Sequence, residues 1–225
     1  MKSYLIYLIR NGMTAESSAG KYIGHTDVPL SEDGERQLLQ MKEDYEYPDV
    51  DVVFTSPLKR CVRTAQLLYP ETDAIPMRDL IECNFGEFEG KTAEELENHP
   101  VFPQWLAGED GVEPPFGESN HDFQVRVCDG FARIVEGLIK TGTTRAAIVT
   151  HGGVIMTLLA AFGLPEAPMH EWMMPEGCGY TVRVTPFLWS RGQKMEVFEE
   201  VPIVPGSFEE PDIFADFNVE DFLYD

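Results

Sequence analysis

Two arginines and a histidine stand at or shortly after the ends of apolar runs in this sequence. They are Arg10, Arg60 and His151. The guanidinium fork of arginine matches the geometry of a phosphate and stays charged, and imidazole exchanges a proton near neutral pH. As isolated residues in so acidic a chain, the arginines would be surface ion-pair partners. Their shared position after apolar runs instead favours a site that holds a phosphoryl group.

The apolar runs have the composition of strands that are buried on both faces of a parallel sheet. They are the segments Tyr4–Ile9, Val50–Thr55 and Ala146–Thr150. Helix-like patterns follow the second and third runs. Strands that alternate with helices predict an α/β fold, a three-layer α/β/α sandwich with a mostly parallel central sheet. Since ligands of such sheets bind beyond the carboxyl ends of the strands, the three basic residues and Asn11 are predicted to gather at one edge.

The length and pattern predict one domain, residues 1–205. Residues from about 84 to 119 are rich in Pro, Gly, Glu and aromatics, which indicates an insertion that caps the site. Within it, Thr92 is predicted to be the N-cap of a short helix that runs through Glu97. A long amphipathic helix is predicted over Ser119–Ile139.

The end of the chain contains a predicted hairpin and an acidic tail. The two strands of the hairpin are Gly179–Pro186 and Lys194–Pro202, joined across residues 190–193. The tail, residues 206–225, is acidic and carries aromatic side chains. We expect these side chains to pack on the domain, with a partner site as the alternative.

Charge and cysteine content exclude several classes of protein. The formal net charge is -22, from 17 Lys+Arg against 39 Asp+Glu, so nucleic acid and anionic membrane surfaces are unlikely partners. The four cysteines include no C-x-x-C pair, which argues against a zinc site or a disulfide framework and favours the reducing cytoplasm. The apolar stretch 146–163 contains an imidazole and two glycines at its centre. A strand, a turn and a helix explain it better than a membrane span.

An ordered set of motifs resembles those of the histidine phosphatase (phosphoglycerate mutase-like) superfamily. In chain order the motifs are Leu8-Ile-Arg-Asn-Gly-Met-Thr14, Gly24-His-Thr-Asp-Val-Pro-Leu-Ser31, Ser56-Pro-Leu-Lys-Arg-Cys-Val-Arg-Thr-Ala65, Glu82-Cys-Asn-Phe-Gly-Glu-Phe-Glu-Gly90, Gly117-Glu-Ser119 and Thr150-His-Gly-Gly153. The likeness covers about residues 4 to 165. Because the motifs match in order, the set is far more specific than any one of them.

The resemblance implies that Arg10, Arg60 and His151 hold the phosphate, and we call these three residues the phosphate cradle. It implies that Glu82 is the general acid that protonates the leaving oxygen and later the base that activates water. The same segment contains two alternative acids, Glu87 and Glu89. The scheme requires no metal or other cofactor.

Five further residues in the matching motifs could hydrogen-bond a substrate: Thr14, Ser17, Gly24, Thr26 and Ser119. Turn and helix-capping roles fit them equally well. Ser17 stands where many members of the family carry Asn, so the sequence leaves open whether Ser17 contacts the phosphate.

One motif departs from the family at its chemical centre. The family nucleophile is a histidine whose ring nitrogen attacks phosphorus, and Asn11 occupies that position. An amide is neither basic nor a usable nucleophile, so hydrolysis should be blocked or strongly impaired. A turn at Asn11-Gly12 would explain the residue but not the surrounding motifs. A natural pseudoenzyme and a deliberately disarmed enzyme would both carry this residue, and the retained cradle and Glu82 favour the second.

The resemblance implies a phosphomonoesterase of small metabolites. The segments Thr150-His-Gly-Gly153 and Gly24–Ser31 are most similar to those of α-ribazole phosphatases and broad-specificity phosphatases. A phosphoglycerate mutase is the weaker alternative, because Cys83 and Asn84 follow Glu82 where mutases carry basic and aromatic residues. A binding module for phosphorylated ligands is the second class. The expected partner is a small phosphorylated substrate or inorganic phosphate, and a homodimer is kept as an alternative to a monomer.

Overall fold

A central sheet of seven strands organises the part of the chain that the computed structural model describes, residues 2–109 and 111–205. The strands are β1 (Tyr4–Arg10), β2 (Val52–Thr55), β3 (Ala74–Pro76), β4 (Arg145–Thr150), β5 (Gly163–Leu164), β6 (Gly179–Val184) and β7 (Met195–Val201). Their order is β3-β2-β4-β1-β6-β7-β5. Only the β1–β6 and β6–β7 pairs among these are antiparallel. The predicted α/β fold with a mostly parallel sheet is therefore confirmed.

Helices cover both faces of the sheet. The α-helices of the described residues are α1 (Ala15–Ser18), α2 (Glu32–Asp44), α3 (Lys59–Leu68), α4 (Ala93–Leu96), α5 (Phe102–Leu106), α6 (Asn120–Thr141), α7 (Gly152–Phe162) and α8 (Pro186–Gly192). Apolar side chains of α6 and α7 pack in one core cluster, and those of α2 and α3 pack in a second. The sheet thus lies between two helical layers.

Strand β1 shows why its apolar run is continuous. Its side chains alternate between the two clusters: Ile6 and Leu8 belong to the first, and Leu5, Tyr7 and Ile9 to the second. Successive side chains of a strand point to opposite faces, and both faces of this strand are covered. Every position therefore favours an apolar residue.

The predicted helix starts are confirmed by their caps. The Thr92 side chain accepts from the backbone N–H of Glu95, and the Glu95 side chain accepts from the backbone N–H of Thr92. The helix that follows ends at Leu96. Ser119 caps α6 in the same way, through the N–H of Asp122. Because a cap involves residues only three apart, it can be inferred from local sequence.

The predicted hairpin is correct in its strands and wrong in its connection. Strands β6 and β7 pair antiparallel, but Pro186 begins a helix instead of extending the first strand. The Thr185 side chain accepts from the N–H of Leu188, and proline fits the first turn of a helix because that turn needs no N–H from it. The connection is α8.

The apolar stretch 146–163 forms most of β4 and all of α7, as predicted. Within the described ranges, none of the helices is long and apolar enough to cross a membrane. The predicted packing of the tail, residues 206–225, concerns positions outside the described residues.

Candidate active site

The predicted site residues meet at the edge where β1, β2 and β4 have their carboxyl ends. Arg10, the last residue of β1, lies in register with Thr150, the last residue of β4. Asn11 and His151 come next, and the N–H of Asn11 donates to the carbonyl of Thr150 at 2.8 Å. Arg60 extends from the first turn of α3. Parallel neighbouring strands bring these positions together although up to 141 residues separate them along the chain.

His151 is at the centre of this arrangement and is only 2% exposed. Its Nε2 lies 2.8 Å from Oγ of Ser56, and its Nδ1 lies 3.1 Å from Oδ1 of Asn11. Burial lowers the pKa of His151 well below its usual value, and the charge of Arg60 lowers it further. The imidazole is therefore neutral at physiological pH.

Two groups meet at Nδ1 of this imidazole. Nδ2 of Asn11 donates to the carbonyl of Gly12 at 2.9 Å, which turns Oδ1 toward His151. Nε of Arg60 donates to Nδ1 at 3.3 Å, and a guanidinium nitrogen can only donate. Asn11, Arg60 and Ser56 together fix the orientation of the ring.

Position 11 is held by backbone contacts that do not involve its side chain. The N–H of Gly12 donates to Oγ1 of Thr64 at 3.0 Å. A Cβ on Gly12 would lie 2.5 Å from Cδ1 of Leu38, so a larger residue there would have to displace the buried Leu38 side chain of α2. A different side chain at position 11 would consequently start from the same backbone.

Arg60 is almost fully buried, and backbone carbonyls orient its guanidinium. One terminal nitrogen donates to the carbonyl of Thr26 at 2.9 Å, and the other donates to that of Gly24 at 2.7 Å. These carbonyls compensate for the loss of hydration that burial imposes on the charge. The guanidinium is thus fixed beside His151.

Arg10 is more accessible than Arg60, and its partners come from a different segment of the chain. It donates to the carbonyl of Met174 at 2.6 Å and to Oε1 of Glu176 at 3.0 Å. The guanidinium has further N–H groups that can bind an anion. Sequence reasoning did not identify Glu176, whose carboxylate moderates the positive charge at this edge.

Glu82 lies on the same edge and is 7% exposed. Its two carboxyl oxygens accept from the N–H groups of Cys83 at 3.0 Å and Gly153 at 2.9 Å. Burial raises the pKa of Glu82, and this effect exceeds the opposing effects of the two amides and of the arginines. A Cβ on Gly153 would lie 2.4 Å from Oε1, so the second glycine of the motif makes this approach possible. A carboxyl group with a raised pKa suits a general acid.

The two alternative acids have other partners. The carboxylate of Glu89 accepts from the N–H of Gly24 at 3.0 Å and from the hydroxyl of Thr26 at 2.6 Å. Glu87 is exposed and faces His99 at 3.7 Å. Glu89 therefore organises the loop whose carbonyls orient Arg60, and the geometry favours Glu82 as the acid.

Replacing Glu89 with Ala should destabilise the protein by about 1.5–3 kcal/mol, because hydrogen bonds to a charged acceptor are lost and several loop N–H groups are left without it. The urea midpoint of unfolding measures the change. Glu87→Ala is the matched control and should alter the midpoint little, since that carboxylate is exposed. Equal effects of the two substitutions would contradict the role assigned to Glu89.

The residues predicted as substrate contacts all have partners within the protein: Thr14, Ser17, Gly24, Thr26 and Ser119. Thr14 and Ser17 form the capping box of α1. Ser119 caps α6, and the remaining two hold Arg60 and Glu89. Direct contact of these five with a substrate stays a prediction.

Four residues of the site had no role in the sequence analysis. Ser56 and Glu118 stood in quoted motifs without a function, whereas Arg126 and Glu176 carried no local signal. Arg126 donates to the Glu118 carboxylate at 2.7 Å and to the Glu82 carbonyl at 3.3 Å. It thereby fixes the backbone of Glu82 from α6.

No group of three or more His, Cys, Asp or Glu side chains among residues 2–109 and 111–205 is arranged to hold a metal ion.

A comparison with known families identifies the superfamily of the chain. The family model for the histidine phosphatase superfamily (branch 1) matches residues 6–190, and the chain belongs to that superfamily. Asn11, which the motif resemblance places at the position of the family's histidine, lies within the matched range.

Similar proteins include named phosphatases. The chain is 28% identical over 175 residues to the uncharacterized phosphatase PhoE of Bacillus subtilis (strain 168), covering 77% of this chain and 84% of that protein. It is 28% identical over 179 residues to the adenosylcobalamin/alpha-ribazole phosphatase of Salmonella typhimurium, covering 77% and 87%. The crystal structure of the alpha-ribazole phosphatase from Shigella flexneri superposes with a TM-score of 0.73 at 25% identity, covering 86% of this chain and 94% of that one.

Proposed function

We propose that this chain binds phosphate monoesters of small metabolites in the phosphate cradle, and that Asn11 blocks or strongly impairs their hydrolysis. The α-ribazole phosphates are the leading candidate ligands, because phosphatases named for them are among the similar proteins. The reaction that the site would otherwise perform is phosphomonoester hydrolysis.

The observation that carries this proposal is the 3.1 Å contact between Oδ1 of Asn11 and Nδ1 of His151. It supports the proposal because a non-nucleophilic amide lies beside His151, at the position that the motif resemblance assigns to the attacking nitrogen. Arg60 donates to the same imidazole, and Glu82 lies at the same sheet edge, where it accepts from the N–H of Gly153. The proposal follows from a complete set of binding groups around a missing nucleophile.

Each retained group has a definite task with a bound ester. The free N–H groups of Arg10 and the cation of Arg60 would hold the phosphoryl oxygens against the net charge of -22. Glu82, in its protonated form, would donate to the bridging oxygen of the leaving alcohol, and its raised pKa extends the pH range of that form. Without attack on phosphorus, the P–O bond stays intact, so an ester should bind and persist.

A permanent binding module for phosphorylated ligands is the second candidate function. It is favoured by the integration of Asn11, whose amide donates to the carbonyl of Gly12 and lies 3.1 Å from Nδ1 of His151. A mutase is less well supported, because Cys83 is buried and the Asn84 amide donates to the carbonyl of Phe116 at 3.4 Å. Neither side chain offers a cation for a second acidic group.

The substitution Arg10→Ala should weaken the binding of inorganic phosphate about 10- to 100-fold, because charge-assisted hydrogen bonds are lost at the cradle. Isothermal titration calorimetry of the chain as it stands measures the change. Arg63→Ala is the matched control: Arg63 lies on the same helix as Arg60 and pairs with Glu35 at the surface. Unchanged phosphate affinity in the Arg10 variant would remove this edge as the binding site.

A further inference from the structure

Side chains, not sheet partners, hold the backbone that carries the candidate acid. Residues 79–82, which we call the acid segment, lie outside the seven strands. All four carbonyls of this segment accept hydrogen bonds from side chains. The carbonyl of Leu80 accepts from the Thr150 hydroxyl at 2.7 Å. The other three accept from the guanidinium of Arg126: those of Asp79 at 3.0 Å, Ile81 at 2.8 Å and Glu82 at 3.3 Å.

The guanidinium of Arg126 is in turn oriented by Glu118. Nε and Nη2 of Arg126 donate to the two carboxylate oxygens of Glu118, at 2.8 and 2.7 Å. The guanidinium also lies 5.3 Å from the centre of the Phe123 ring. A bidentate pair fixes the plane of the guanidinium as well as its position. The remaining N–H groups of Arg126 are thereby directed at the acid segment.

Helix α6 approaches the acid segment along one of its faces. Arg126, Gly130 and Arg133 are four and three residues apart, which places them on the same face of the helix. A Cβ on Gly130 would lie 2.5 Å from the Cβ of Asp79, so the small residue permits the close approach. Arg133 pairs with the Asp79 carboxylate at 2.7 Å and is half-exposed. The helix therefore supports the acid segment by direct contact.

The motif Gly117-Glu-Ser119 holds the chain just after Glu82. The N–H of Glu118 donates to the carbonyl of Asn84 at 2.9 Å, and the N–H of Asn84 donates to the Glu118 carboxylate at 3.3 Å. A Cβ on Gly117 would lie 2.6 Å from the Asn84 carbonyl oxygen. Glu118 thus secures the backbone beyond Glu82, while Arg126 secures the acid segment itself.

We infer that Arg126 is a positioning residue for the general acid. Its hydrogen bonds within the described residues go to the acid segment and to Glu118, so it acts on the reaction through Glu82. By fixing this backbone, Arg126 keeps the Glu82 carboxyl at the N–H of Gly153, on the sheet edge of the cradle. The inference rests on the proposed function, since it takes Glu82 as the group that protonates the leaving oxygen.

The first test uses amide hydrogen exchange in the chain with Asn11 in place. The N–H of Gly153 donates to the Glu82 carboxyl, whereas the N–H of Asn11 donates to a backbone carbonyl at the same edge and serves as the reference. Arg126→Met keeps an apolar stem and removes the donors. Exchange at Gly153 should accelerate at least about tenfold relative to exchange at Asn11, because the acid segment opens locally. General destabilisation would accelerate both amides alike.

The second test uses turnover in the Asn11→His background. Arg126→Met should lower kcat/KM for alkyl phosphates by about 10- to 100-fold, the cost of a misplaced group, and should change that for p-nitrophenyl phosphate little. Added to Glu82→Gln, it should lower kcat/KM for alkyl phosphates no further, because the group that it positions is already absent. Arg126→Lys should restore little, since an ammonium cannot reproduce the guanidinium fork.

Arg133→Met is the matched control, because Arg133 contacts the acid segment through a side chain and not through a carbonyl. It should leave both readouts unchanged. The double variant Arg126→Met/Glu118→Gln removes the carboxylate that would be left unpaired, and it should show the same losses in a stably folded chain.

Three results would overturn the inference: equal acceleration of the two amides, equal losses for the two esters, or a full further loss in the Glu82→Gln background. Each would make Arg126 a structural residue only. An Asn11→His protein without turnover would instead contradict the catalytic part of the proposed function. The exchange measurement, which needs no turnover, would still decide whether Arg126 positions Glu82.

Discussion

Asn11→His should convert this chain into an active phosphatase and raise turnover of p-nitrophenyl phosphate by roughly 10³- to 10⁶-fold. Loss of one member of a catalytic unit commonly costs a factor of this size, and the substitution restores only that member. The neighbouring Arg60, His151 and Glu82 already occupy one edge of the sheet.

The physical reason lies in the side chain at position 11. Its amide already makes the donor contact to Gly12 that an imidazole N–H could make, and the backbone is fixed by Thr64. A histidine donating there would direct its other ring nitrogen toward the cradle. That nitrogen would attack phosphorus, the bond from phosphorus to the ester oxygen would break, and Glu82 would protonate the departing oxygen. Water deprotonated by Glu82 would then hydrolyse the phosphohistidine.

The measurement is steady-state hydrolysis across a panel of esters, with a search for an acid-labile phosphoenzyme after rapid quenching. Asn11→Gln is the matched control, because it lengthens the side chain without adding a nucleophile and should stay inactive. A folded Asn11→His protein with no hydrolysis and no phosphoenzyme would favour the permanent binding module.

In the Asn11→His background, adding Glu82→Gln should lower kcat/KM for alkyl phosphates by about 10²- to 10⁴-fold, the range for loss of a general acid. The loss in kcat/KM, which covers the steps up to departure of the leaving group, should be much smaller for p-nitrophenyl phosphate, because its leaving group departs without a proton. Hydrolysis of the phosphohistidine follows that departure and is common to both substrates. This difference between leaving groups separates an acid role from a general disturbance of the site. Glu87→Gln is the control and should affect both substrates little.

The Glu82→Gln substitution in the Asn11→His background should also change how activity depends on pH. The pKa of Glu82 is raised, so its carboxyl group stays protonated to a higher pH than an exposed glutamate does. Activity on alkyl phosphates should fall as pH rises through this raised pKa, and the Gln variant should lose that limb of the profile. A profile with the same limb in both proteins would assign the titration to another group.

Stability provides a check on folding. A raised pKa means that the folded chain binds this proton more tightly than the unfolded chain does. The associated stabilisation is present below the unfolded pKa and is lost as pH rises through the folded value. Glutamine has no carboxyl group that must lose its proton inside the protein. The Glu82→Gln variant should therefore be at least as stable as its parent at neutral pH. Loss of activity without loss of stability would mark a chemical role.

The sequence alone determined the elements of the core and the edge at which they converge. The continuous apolar run at β1 predicted a strand that is buried on both faces. Successive side chains of a strand point to opposite faces, so a strand covered on both sides has no position that favours a polar residue. Thr92 and Ser119 predicted helix starts because a cap depends on residues three positions away. The position of Arg10 and His151 beside each other followed from topology, since parallel strands end at one edge.

Only the tertiary structure decided what each polar side chain contacts there. The resemblance assigned the acid role to Glu82, but the residues themselves left Glu87 and Glu89 as alternatives, because the contact that distinguishes Glu82 is with the N–H of Gly153, 71 residues away. The role of Glu89 depends likewise on a loop 63 to 65 residues away. Hydrophobic periodicity reports which face of an element is buried, but it carries no information about which distant donor will meet a given carboxylate. Periodicity also failed to predict α8. The residues before it alternate as in a strand, but Pro186 favours the first turn of a helix, and that local preference prevailed.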